Sequence, residues 1–539
     1  MSSKKIYLWL PLVLILTLVI GFLIGNFSKP LSRKYFVTPE NKINVILDII
    51  KSDYVDTVNM KNLVEGAIPT IINELDPHSV YIPAEDLQAV NEDLEGHFSG
   101  IGVQFSLQND TIVVVNVISG GPSEKVGLQA GDRIVTINDS IFVGVDINNE
   151  KVMKTLRGPK GTTVKVGIKR DPEQNLKEYE ITRGDVPVNT VDVAYQISPG
   201  IGLIKVNKFG RTTYNEFVVS LSKLLKEGCE SFIIDLRGNQ GGSMDAAVNI
   251  ANEFLSRGKH IVYTEGKAYP RADAYANGTG TCQKEPLIIL TDEWSASASE
   301  IVAGAIQDND RGAIVGRRTF GKGLVQNQIG LSDNSALRLT IGRYYTPSGR
   351  SIQKEYTLGK RDEYSMDLIN RFNHGEFDSA DSIKQENNHA YKTLLGRTVY
   401  GGGGVMPDYF IPRDTTGITS YYNNLMNNGV IYEFAFQFAD RNRALKEKYS
   451  DFHSFYTYLK TQPLLNDIVA FAETKGIRRR PTLINISKSK IENIAYAYII
   501  RNLFGEDGFY PIYFERDPVV LKAVDVITKG EAFPKAPEN

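Results

Sequence analysis

SASASE at residues 295–300 and FGKGLVQ at residues 320–326 are the two segments from which the organisation of this chain can be read. The first places small hydroxyl residues at the start of an apolar helix, and the second surrounds a lone lysine with glycines and apolar residues. A serine hydroxyl is a poor nucleophile until a base removes its proton. A lysine is such a base only when it is neutral, so burial must lower its pKa from ~10.4. The segments therefore contain the ingredients of a Ser/Lys dyad, and the alternative is a packing turn with one surface lysine.

The same region comes close to a phosphate-binding loop. GRRTFGKG at residues 316–323 follows the strand-like run at 313–315. A phosphate-binding loop needs Ser or Thr directly after its lysine, to hold magnesium, and then a helix whose N-terminus faces the phosphates. Gly323 occupies the hydroxyl position, and residues 324–331 alternate like a strand. The sequence therefore argues against nucleotide binding.

Strands and helices alternate from residue 186 to residue 412. Buried strands are predicted at 202–206, 231–236 and 287–290, and helices at 214–227, 246–255 and 299–308. This alternation indicates βαβ units. The turn after the second of these strands reads DLRGNQGG, residues 235–242, and its closing glycines permit a tight strand-to-helix turn.

Short strands and glycine turns fill residues 97–184, and PSEKVGLQAGDRIVTIN at 122–138 resembles a PDZ domain. Gly100 and Gly102, with Ile101 and Val103, let consecutive backbone N–H groups face one point, which forms a cradle for a carboxylate. The adjoining strand edge can pair with an extended peptide. Arg157 either adds charge for sensing a peptide tail or forms a surface salt bridge. The alternative for the whole feature is a glycine hairpin without a ligand.

The N-terminus carries an uncharged apolar run at residues 6–24, preceded by Lys4 and Lys5. As a helix, these 19 residues would be about 28 Å long, close to the ~30 Å hydrocarbon core of a bilayer. The sequence lacks an Ala-x-Ala cleavage pattern, which favours an uncleaved membrane anchor over a signal peptide. Basic residues also follow the run, so charge alone does not give the orientation.

The composition is that of a globular protein with about three or four domains: 539 residues, 42% hydrophobic and 23% charged. A net charge of −2 gives no electrostatic footprint for nucleic acid. Cys229 and Cys282 each precede an apolar strand, so they either pair across neighbouring strands or remain buried thiols. Two cysteines without a His/Cys cluster give no zinc spacing.

The end of the chain differs from the middle. Residues 357–397 are polar and charged and are predicted to be a partly helical insertion beside the exit from the active site. Residues 413–539 are predicted to be mainly helical, and their many aromatic residues predict a packed core. This region could dimerise, shape a substrate tunnel or dock a partner, and the sequence leaves all three open.

Ordered motifs from about residue 40 to residue 412 resemble the carboxyl-terminal processing peptidases, or tail-specific proteases, which are PDZ-containing serine endopeptidases with a Ser/Lys dyad. The motifs are SASASEI, DNDRGAIVG, TFGKGLVQ, ALRLTIGRYYTPSGRSIQ and GGGGVMPD. The resemblance implies a multidomain α+β protein whose α/β protease core is compared with the Clp-protease/crotonase spiral. The predicted parts are an anchor or signal at 1–30, a helical segment at 31–92, a PDZ domain at 93–184, the core at 185–412 and the helical region at 413–539.

The resemblance also implies roles for single residues. The family nucleophile is the middle serine, here Ser297, because the family lysine lies 25 positions later, at Lys322. Gln326 matches the glutamine that orients this lysine. The oxyanion hole is expected from the N–H of Ala298 and from that of Gly241 or Gly242. The histidines lie outside these motifs, which argues against a Ser-His-Asp triad, and His78 is predicted to be a turn or cap residue. The six histidines are at positions 78, 97, 260, 374, 389 and 453.

The function implied by the resemblance is cleavage of exported, unfolded or tail-exposed proteins, recognised through their C-termini, without a metal or nucleotide cofactor. The catalytic body is expected on the periplasmic side of the inner membrane, held by the N-terminal helix. A homodimer and an activating adaptor are further partner hypotheses. The alternative function is a membrane-tethered PDZ adaptor with an inactive core. The sequence departs from the family at Asp292-Glu293-Trp294, where Asn and glycine are usual; this either alters substrate pockets or is a neutral loop change.

Overall fold

The computed structural model describes residues 6–27, 37–108, 110–144, 146–170, 175–383 and 389–537. The chain divides into two compact units, residues 1–71 and 72–539. The first unit contains helices α1 (Ile6–Phe27) and α2 (Lys42–Asp53) and most of α3 (Met60–Asn73). Helices α2 and α3 lie within the segment at 31–92 that the sequence predicts to be helical.

The predicted membrane anchor is not supported by the helices. Within the described ranges, no helix combines the length and the apolar character needed to cross a membrane. The basic residues that flank the apolar run on both sides lie outside the described residues. They are Lys4, Lys5, Lys29, Arg33 and Lys34.

A small β-rich module follows the short elements β1 (Val80–Ile82) and α4 (Leu87–Glu95). Its elements in chain order are β2 (His97–Gly100), β3 (Val103–Gln108), β4 (Thr111–Val117), α5 (Pro122–Val126), β5 (Arg133–Ile137), β6 (Ser140–Ile141), α6 (Asn149–Leu156), β7 (Thr163–Lys169), β8 (Lys177–Thr182) and β9 (Gly184–Pro187). The main sheet has the order β3-β4-β5-β7-β8, so β3 is an edge strand. Alternate residues of the strands form an apolar core with Val152 and Leu156 of α6.

The central sheet has six strands in the order β10-β11-β12-β15-β16-β21. They are β10 (Val191–Ser198), β11 (Ile201–Val206), β12 (Ser231–Asp235), β15 (Leu287–Thr291), β16 (Ala313–Gly316) and β21 (Tyr409–Phe410). Only β10 is antiparallel to its neighbour; the other pairings are parallel. The parallel strands read as continuous apolar runs because both faces of the sheet are covered.

Helices cover both faces of this sheet. The helices α7 (Thr213–Lys226), α8 (Met244–Phe254) and α9 (Ala298–Asp308) share one apolar cluster with it, which confirms the predicted alternation. Against the other face packs α19 (Pro518–Thr528), near the end of the chain, through Val520, Ala523 and Val526. The C-terminal region therefore completes the core of the central sheet instead of standing apart from it.

A second, antiparallel sheet lies beside the first. It has the order β1-β18-β13-β14, and β17 pairs with β18. These strands are β13 (His260–Glu265), β14 (Ala272–Tyr275), β17 (Leu324–Gly330) and β18 (Ala336–Tyr345). The segment after Lys322 is thus a strand, which confirms that the region is not a phosphate-binding loop.

The insertion contains α10 (Arg361–Ser365), α11 (Asp367–Asn373) and a hairpin of β19 (Ala390–Lys392) and β20 (Thr398–Tyr400). The rest of the chain is helical and packed around aromatic side chains, as predicted: α12 (Ser420–Asn427), α13 (Val430–Arg441), α14 (Leu445–Lys448), α15 (Phe452–Leu459), α16 (Leu464–Thr474), α17 (Pro481–Phe504) and α18 (Glu506–Tyr513) precede α19. Cys229 and Cys282 precede the paired strands β12 and β15, and both are buried free thiols.

Candidate active site

A sharp turn joins β15 to α9 and carries Ser297. Ser297 is the residue directly before α9, with φ +55° and ψ −111°. A positive φ is unusual for a residue with a side chain and costs of order 1–3 kcal/mol, which the surrounding contacts must hold in place. Turns of this kind between a strand and a helix present a nucleophile at the edge of a sheet.

The structure distinguishes the three serines of the motif. The Ser295 hydroxyl donates to the carbonyl of Leu236 at 2.8 Å, and the Ser299 hydroxyl donates to the carbonyl of Asn239 at 2.8 Å. Both residues are fully buried. Ser297 is half-buried and lines a cavity of about 680 Å³. Ser295 and Ser299 therefore fix the turn, and Ser297 alone of the three faces the cavity.

Lys322 lines the same cavity, although it comes from the loop between the two sheets. Burial lowers the pKa of Lys322, and repulsion from Arg338 lowers it further. Its Nζ donates to Oε1 of Gln326 at 3.3 Å, and Nε2 of Gln326 donates to the carbonyl of His78 at 2.6 Å. The glutamine is thus oriented on one side by a backbone carbonyl and offers its own oxygen to the lysine.

His78 is not among the described residues that line the cavity at Ser297. Its Nε2 lies 2.9 Å from the hydroxyl of Tyr364, and its backbone N–H donates to Oδ1 of Asp76 at 2.9 Å. Burial lowers the pKa of His78 to about 3, so the ring is neutral. His78 is a turn residue, as predicted. Its backbone carbonyl also accepts the hydrogen bond that orients Gln326.

The fully buried Glu300 connects the serine turn with the loop that carries Lys322. One carboxylate oxygen accepts from the N–H of Ser297 at 2.8 Å and of Lys322 at 2.9 Å. The other accepts from the hydroxyl of Thr319 at 2.5 Å and the N–H of Gly321 at 2.7 Å. Burial raises the pKa of Glu300 to about 7, whereas these four donors favour the carboxylate. One side chain therefore fixes the serine turn and the lysine loop relative to each other.

The glycine pair after β12 lies against the serine turn. A Cβ on Gly241 would come 2.7 Å from the Ser297 Cβ, and a Cβ on Gly242 would come 2.0 Å from the carbonyl oxygen of Phe209. Both glycines also have positive φ, at +97° and +138°. No other residue fits at either position without moving the backbone.

The two glycine N–H groups are used differently. The N–H of Gly241 donates to Oδ1 of Asn239 at 2.9 Å. For the N–H groups of Gly242 and Ala298, the described part of the chain offers no acceptor. Asn239 also accepts from the N–H of Ala296 through its own carbonyl at 3.0 Å, so the glycine turn and the serine turn are hydrogen-bonded together.

Residues 292–294, which differ from the family pattern, do not line the cavity at Ser297 in the described structure. Asp292 accepts from the N–H groups of Gly238 and Trp294, and Glu293 pairs with Arg317 at 2.7 Å. Trp294 is half-exposed and, with the other two, is absent from the residues that line the cavity in the described structure. These residues therefore stabilise the turn without shaping the space in front of Ser297.

The PDZ-like module has its own groove, of about 260 Å³, between β3 and α6. The loop at Ile101 and Gly102 forms one end, where the carbonyls of these residues accept from Ser123 and Ile118 and hold the loop in place. The groove is mainly apolar. It is lined by Phe98, Ile101, Gly102, Val103, Gln104, Phe105, Met153, Leu156 and Arg157. Its position beside the edge strand β3 suits a peptide that adds a strand to the sheet.

Arg157 lies at this groove, as the sequence predicts. Its guanidinium is 4.4 Å from the centre of the Phe98 ring and 3.8 Å from the Glu92 carboxylate. Its side chain remains nearly half exposed. The surface salt bridge that the sequence allows is therefore present, whereas a role of Arg157 in sensing a peptide tail stays a prediction.

Three groups that hold the site together were not predicted from the sequence. They are the carboxylate of Glu300, the side chain of Asn239 and the carbonyl of His78. The spacing Ser297-x-x-Glu300 is that of a capping box, which could have singled out Glu300. The other two depend on contacts between distant segments and leave no local signal.

Family models match four parts of the chain. Peptidase family S41 matches residues 200–359, a PDZ domain matches 99–181, and the N-terminal domain of the activating protease CtpB matches 29–86. Residues 421–505 match a family of unknown function.

Known proteins are similar to the chain over much of its length. Carboxy-terminal processing protease CtpA of Bacillus subtilis (strain 168) is 33% identical over 62% of this chain and 71% of the relative. A carboxy-terminal-processing protease of Bartonella bacilliformis is 36% identical over 57% and 71%. Among solved structures, the photosystem II D1 C-terminal processing protease is 26% identical over 70% of this chain and 94% of its own, with a TM-score of 0.36. By the family models and the two curated relatives, the chain belongs to the carboxy-terminal processing proteases of peptidase family S41, which are serine endopeptidases.

Proposed function

We propose that this endopeptidase cleaves protein tails with Ser297 as nucleophile and Lys322 as general base. The observation that carries the proposal is that Ser297 and Lys322 line one cavity and that one buried carboxylate, Glu300, holds both segments. Neutral Lys322 takes the proton of the Ser297 hydroxyl as the oxygen attacks the peptide carbonyl. Gln326 restricts the lysine to the cavity, and burial lowers the pKa of the amine, which favours its neutral, basic form.

The developing oxyanion is stabilised by two backbone N–H groups. We assign them to Ala298 and Gly242, because the N–H of Gly241 already donates to Asn239. The N-terminus of α9, an 11-residue helix, adds its positive end at the same point. Removal of one such donor typically costs 10²–10³-fold in rate, so about 3–4 kcal/mol depends on each N–H. Lys322 then protonates the leaving amine, and water hydrolyses the acyl-enzyme.

The groove between β3 and α6 is proposed to bind the free C-terminus of the substrate. The N–H groups of the loop at Gly100–Val103 face the terminal carboxylate, the edge of β3 pairs with the peptide, and the apolar lining accepts its last side chains. Arg157 adds positive charge near this end of the groove. The substrate class is therefore unfolded or tail-exposed proteins with an apolar free C-terminus.

Export of the protein is a proposal that rests on sequence. The uncharged run at residues 6–24 is typical of an export signal or an anchor, which would place the catalytic body outside the cytoplasm. Separation of membrane, periplasmic and cytoplasmic fractions tests it, because recovery of the full chain from the cytoplasm alone would contradict it. An activating adaptor is a further hypothesis, in keeping with the match of residues 29–86 to the N-terminal domain of the activating protease CtpB. Dimerisation through residues 413–539 is another.

The dyad is tested with residues 31–539 in three forms: wild type, Ser297→Ala and Lys322→Ala. Each form is incubated with an unfolded model protein that ends in apolar residues and carries a free or an amidated C-terminus. We expect cleavage by wild type only, and slower cleavage after amidation. Equal cleavage by all three forms would exclude Ser297, and indifference to amidation would remove tail recognition. Binding of free tails without cleavage by any form would favour the adaptor function.

A further inference from the structure

A cleft of about 950 Å³ lies between the PDZ-like module, the central sheet and the helical C-terminal region. The module contributes parts of β3 and β4, and the central domain contributes Asp192 and Asn207. The remaining wall belongs to helices after residue 413. It is formed by Tyr432, Arg443, Lys446, the segment 501–506 and Tyr510.

The cleft adjoins both sites already described. It shares Phe98 and residues 103–105 with the groove of the PDZ-like module. It shares Asn207 with the cavity at Ser297. A polypeptide that leaves the groove for the catalytic cavity therefore has this cleft along its route.

The helical wall is fixed to its two neighbours by polar contacts. Arg133 of the module pairs with Asp440 of α13 at 2.8 Å, and Arg443 pairs with the same carboxylate at 3.0 Å. On the other side, the hydroxyl of Tyr510 donates to Asp192 at 2.5 Å. The cleft is therefore part of the assembled fold.

One cation of the wall has no carboxylate partner. Arg443 pairs with Asp440, and Arg501 pairs with Glu506 at 2.5 Å. Lys446 is exposed on α14, and in the described ranges no carboxylate lies within ion-pair distance of its Nζ. Its ring contact is with Phe504, at 6.0 Å from the ring centre. The amine is therefore available to a negatively charged group in the cleft.

We propose that the helical C-terminal region forms one wall of the substrate path, and that Lys446 there contacts acidic side chains of the passing chain. The occupant is the segment of substrate between the tail held in the groove and the bond at Ser297. This proposal rests on the proposed function, and it assigns to residues 413–539 a role in selecting the segment that precedes the tail.

The test compares Lys446→Glu with Lys448→Glu in the full-length protein. Lys448 is exposed on the same helix and does not line the cleft, so it is the matched control. Two substrates share the scissile sequence and the apolar free tail but carry an acidic or a basic segment between them. For Lys446→Glu we expect kcat/KM to fall about fivefold on the acidic segment and to rise on the basic one, the size of one partly exposed ion pair. Lys448→Glu should leave the ratio of the kcat/KM values for the acidic and the basic substrate unchanged.

A short amidated peptide with the same scissile sequence serves as an independent readout, because it needs no tail recognition. All variants should cleave it alike. If wild type cleaves nothing, the proposed function fails; if all variants cleave alike on every substrate, only the present inference is overturned. In addition, a photo-crosslinker in the intervening segment should attach to the helical wall of Ser297→Ala, and attachment exclusively elsewhere would overturn the inference.

Discussion

The serine turn and the loop at Gly100–Val103 are both proposed to offer backbone N–H groups to an anion, but the structure around them differs. The helix after Ser297 is buried along its whole length, and Glu300, Asn239 and two serine hydroxyls hold the turn. The loop at Gly100–Val103 lies instead at an edge strand, beside a groove with exposed side chains such as Met153. Chemistry at one carbonyl requires fixed atoms, whereas binding of varied tails requires an open edge. Substitutions should therefore be costly in the first region and mild in the second.

The largest effect is expected from Lys322→Arg. Arginine keeps the positive charge but does not lose its proton at accessible pH, so it cannot accept the serine proton. We expect kcat to fall by about 10²–10⁴-fold, the usual contribution of general acid–base catalysis. Lys354→Arg is the matched control, because Lys354 is a second buried lysine whose amine pairs with Asp367 at 2.8 Å. An active Lys322→Arg enzyme would show that another group is the base.

The second-largest effect is expected from Glu300→Gln. This substitution tests the hydrogen bonds that hold the serine turn and the lysine loop, without changing a reacting group. An amide has only one accepting oxygen, so two of the four donors would face an N–H₂ group. We expect unfolding to be easier by about 2–3 kcal/mol and kcat to fall by as much as about 100-fold. Chemical denaturation and single-turnover kinetics measure the two losses. Glu293→Gln removes a carboxylate from the ion pair with Arg317 nearby and should leave kcat within a few-fold of wild type.

A smaller effect, on tail binding, is expected from substitutions in the groove between β3 and α6. Met153→Ala shortens an exposed side chain that lines the groove, and about fivefold weaker tail binding would match the loss of about 1 kcal/mol of apolar contact. Lys154→Ala truncates the next residue of the same helix, outside the groove. Titration of a labelled tail peptide into the Ser297→Ala protein gives both affinities. Equal affinities would place the peptide elsewhere.

The smallest effect is a shift in pH dependence. Activity requires neutral Lys322, so kcat/KM on a short peptide should rise with pH through the lowered pKa of this lysine. Arg338→Gln removes a repulsive charge, raises the pKa of Lys322 and should move the rising limb to higher pH with little change in the plateau. Arg343→Gln, on the same strand but outside the cavity, is the control. If the rising limb of the pH profile does not move, Arg338 does not lower the pKa of Lys322.

Much of the central sheet could be predicted because parallel strands covered on both faces leave continuous apolar runs. The resemblance selected Ser297 among three serines, and the contacts of Ser295 and Ser299 explain that choice physically. The choice between Gly241 and Gly242 could not be made from sequence, since it depends on the side chain of Asn239 folding back onto the turn. The likeness of the core to the Clp-protease/crotonase spiral and the domain boundaries stay predictions.

For the helical C-terminal region, the helices could be predicted from the sequence, but their packing partners could not. The apolar face of α19 predicts that something covers it, but not that the cover is the central sheet. Similarly, the sequence placed Cys229 and Cys282 before neighbouring strands without fixing whether they pair, and both are free.

The central sheet has a consequence for the timing of activity during synthesis. Its edge strand β21 begins at Tyr409 and one of its faces is covered by α19, which ends at Thr528. The ribosome must therefore release almost the whole chain before the sheet beneath Ser297 can be completed. We expect a nascent chain to lack peptidase activity until α19 has packed against the sheet, which would protect the chain itself and neighbouring nascent proteins from cleavage.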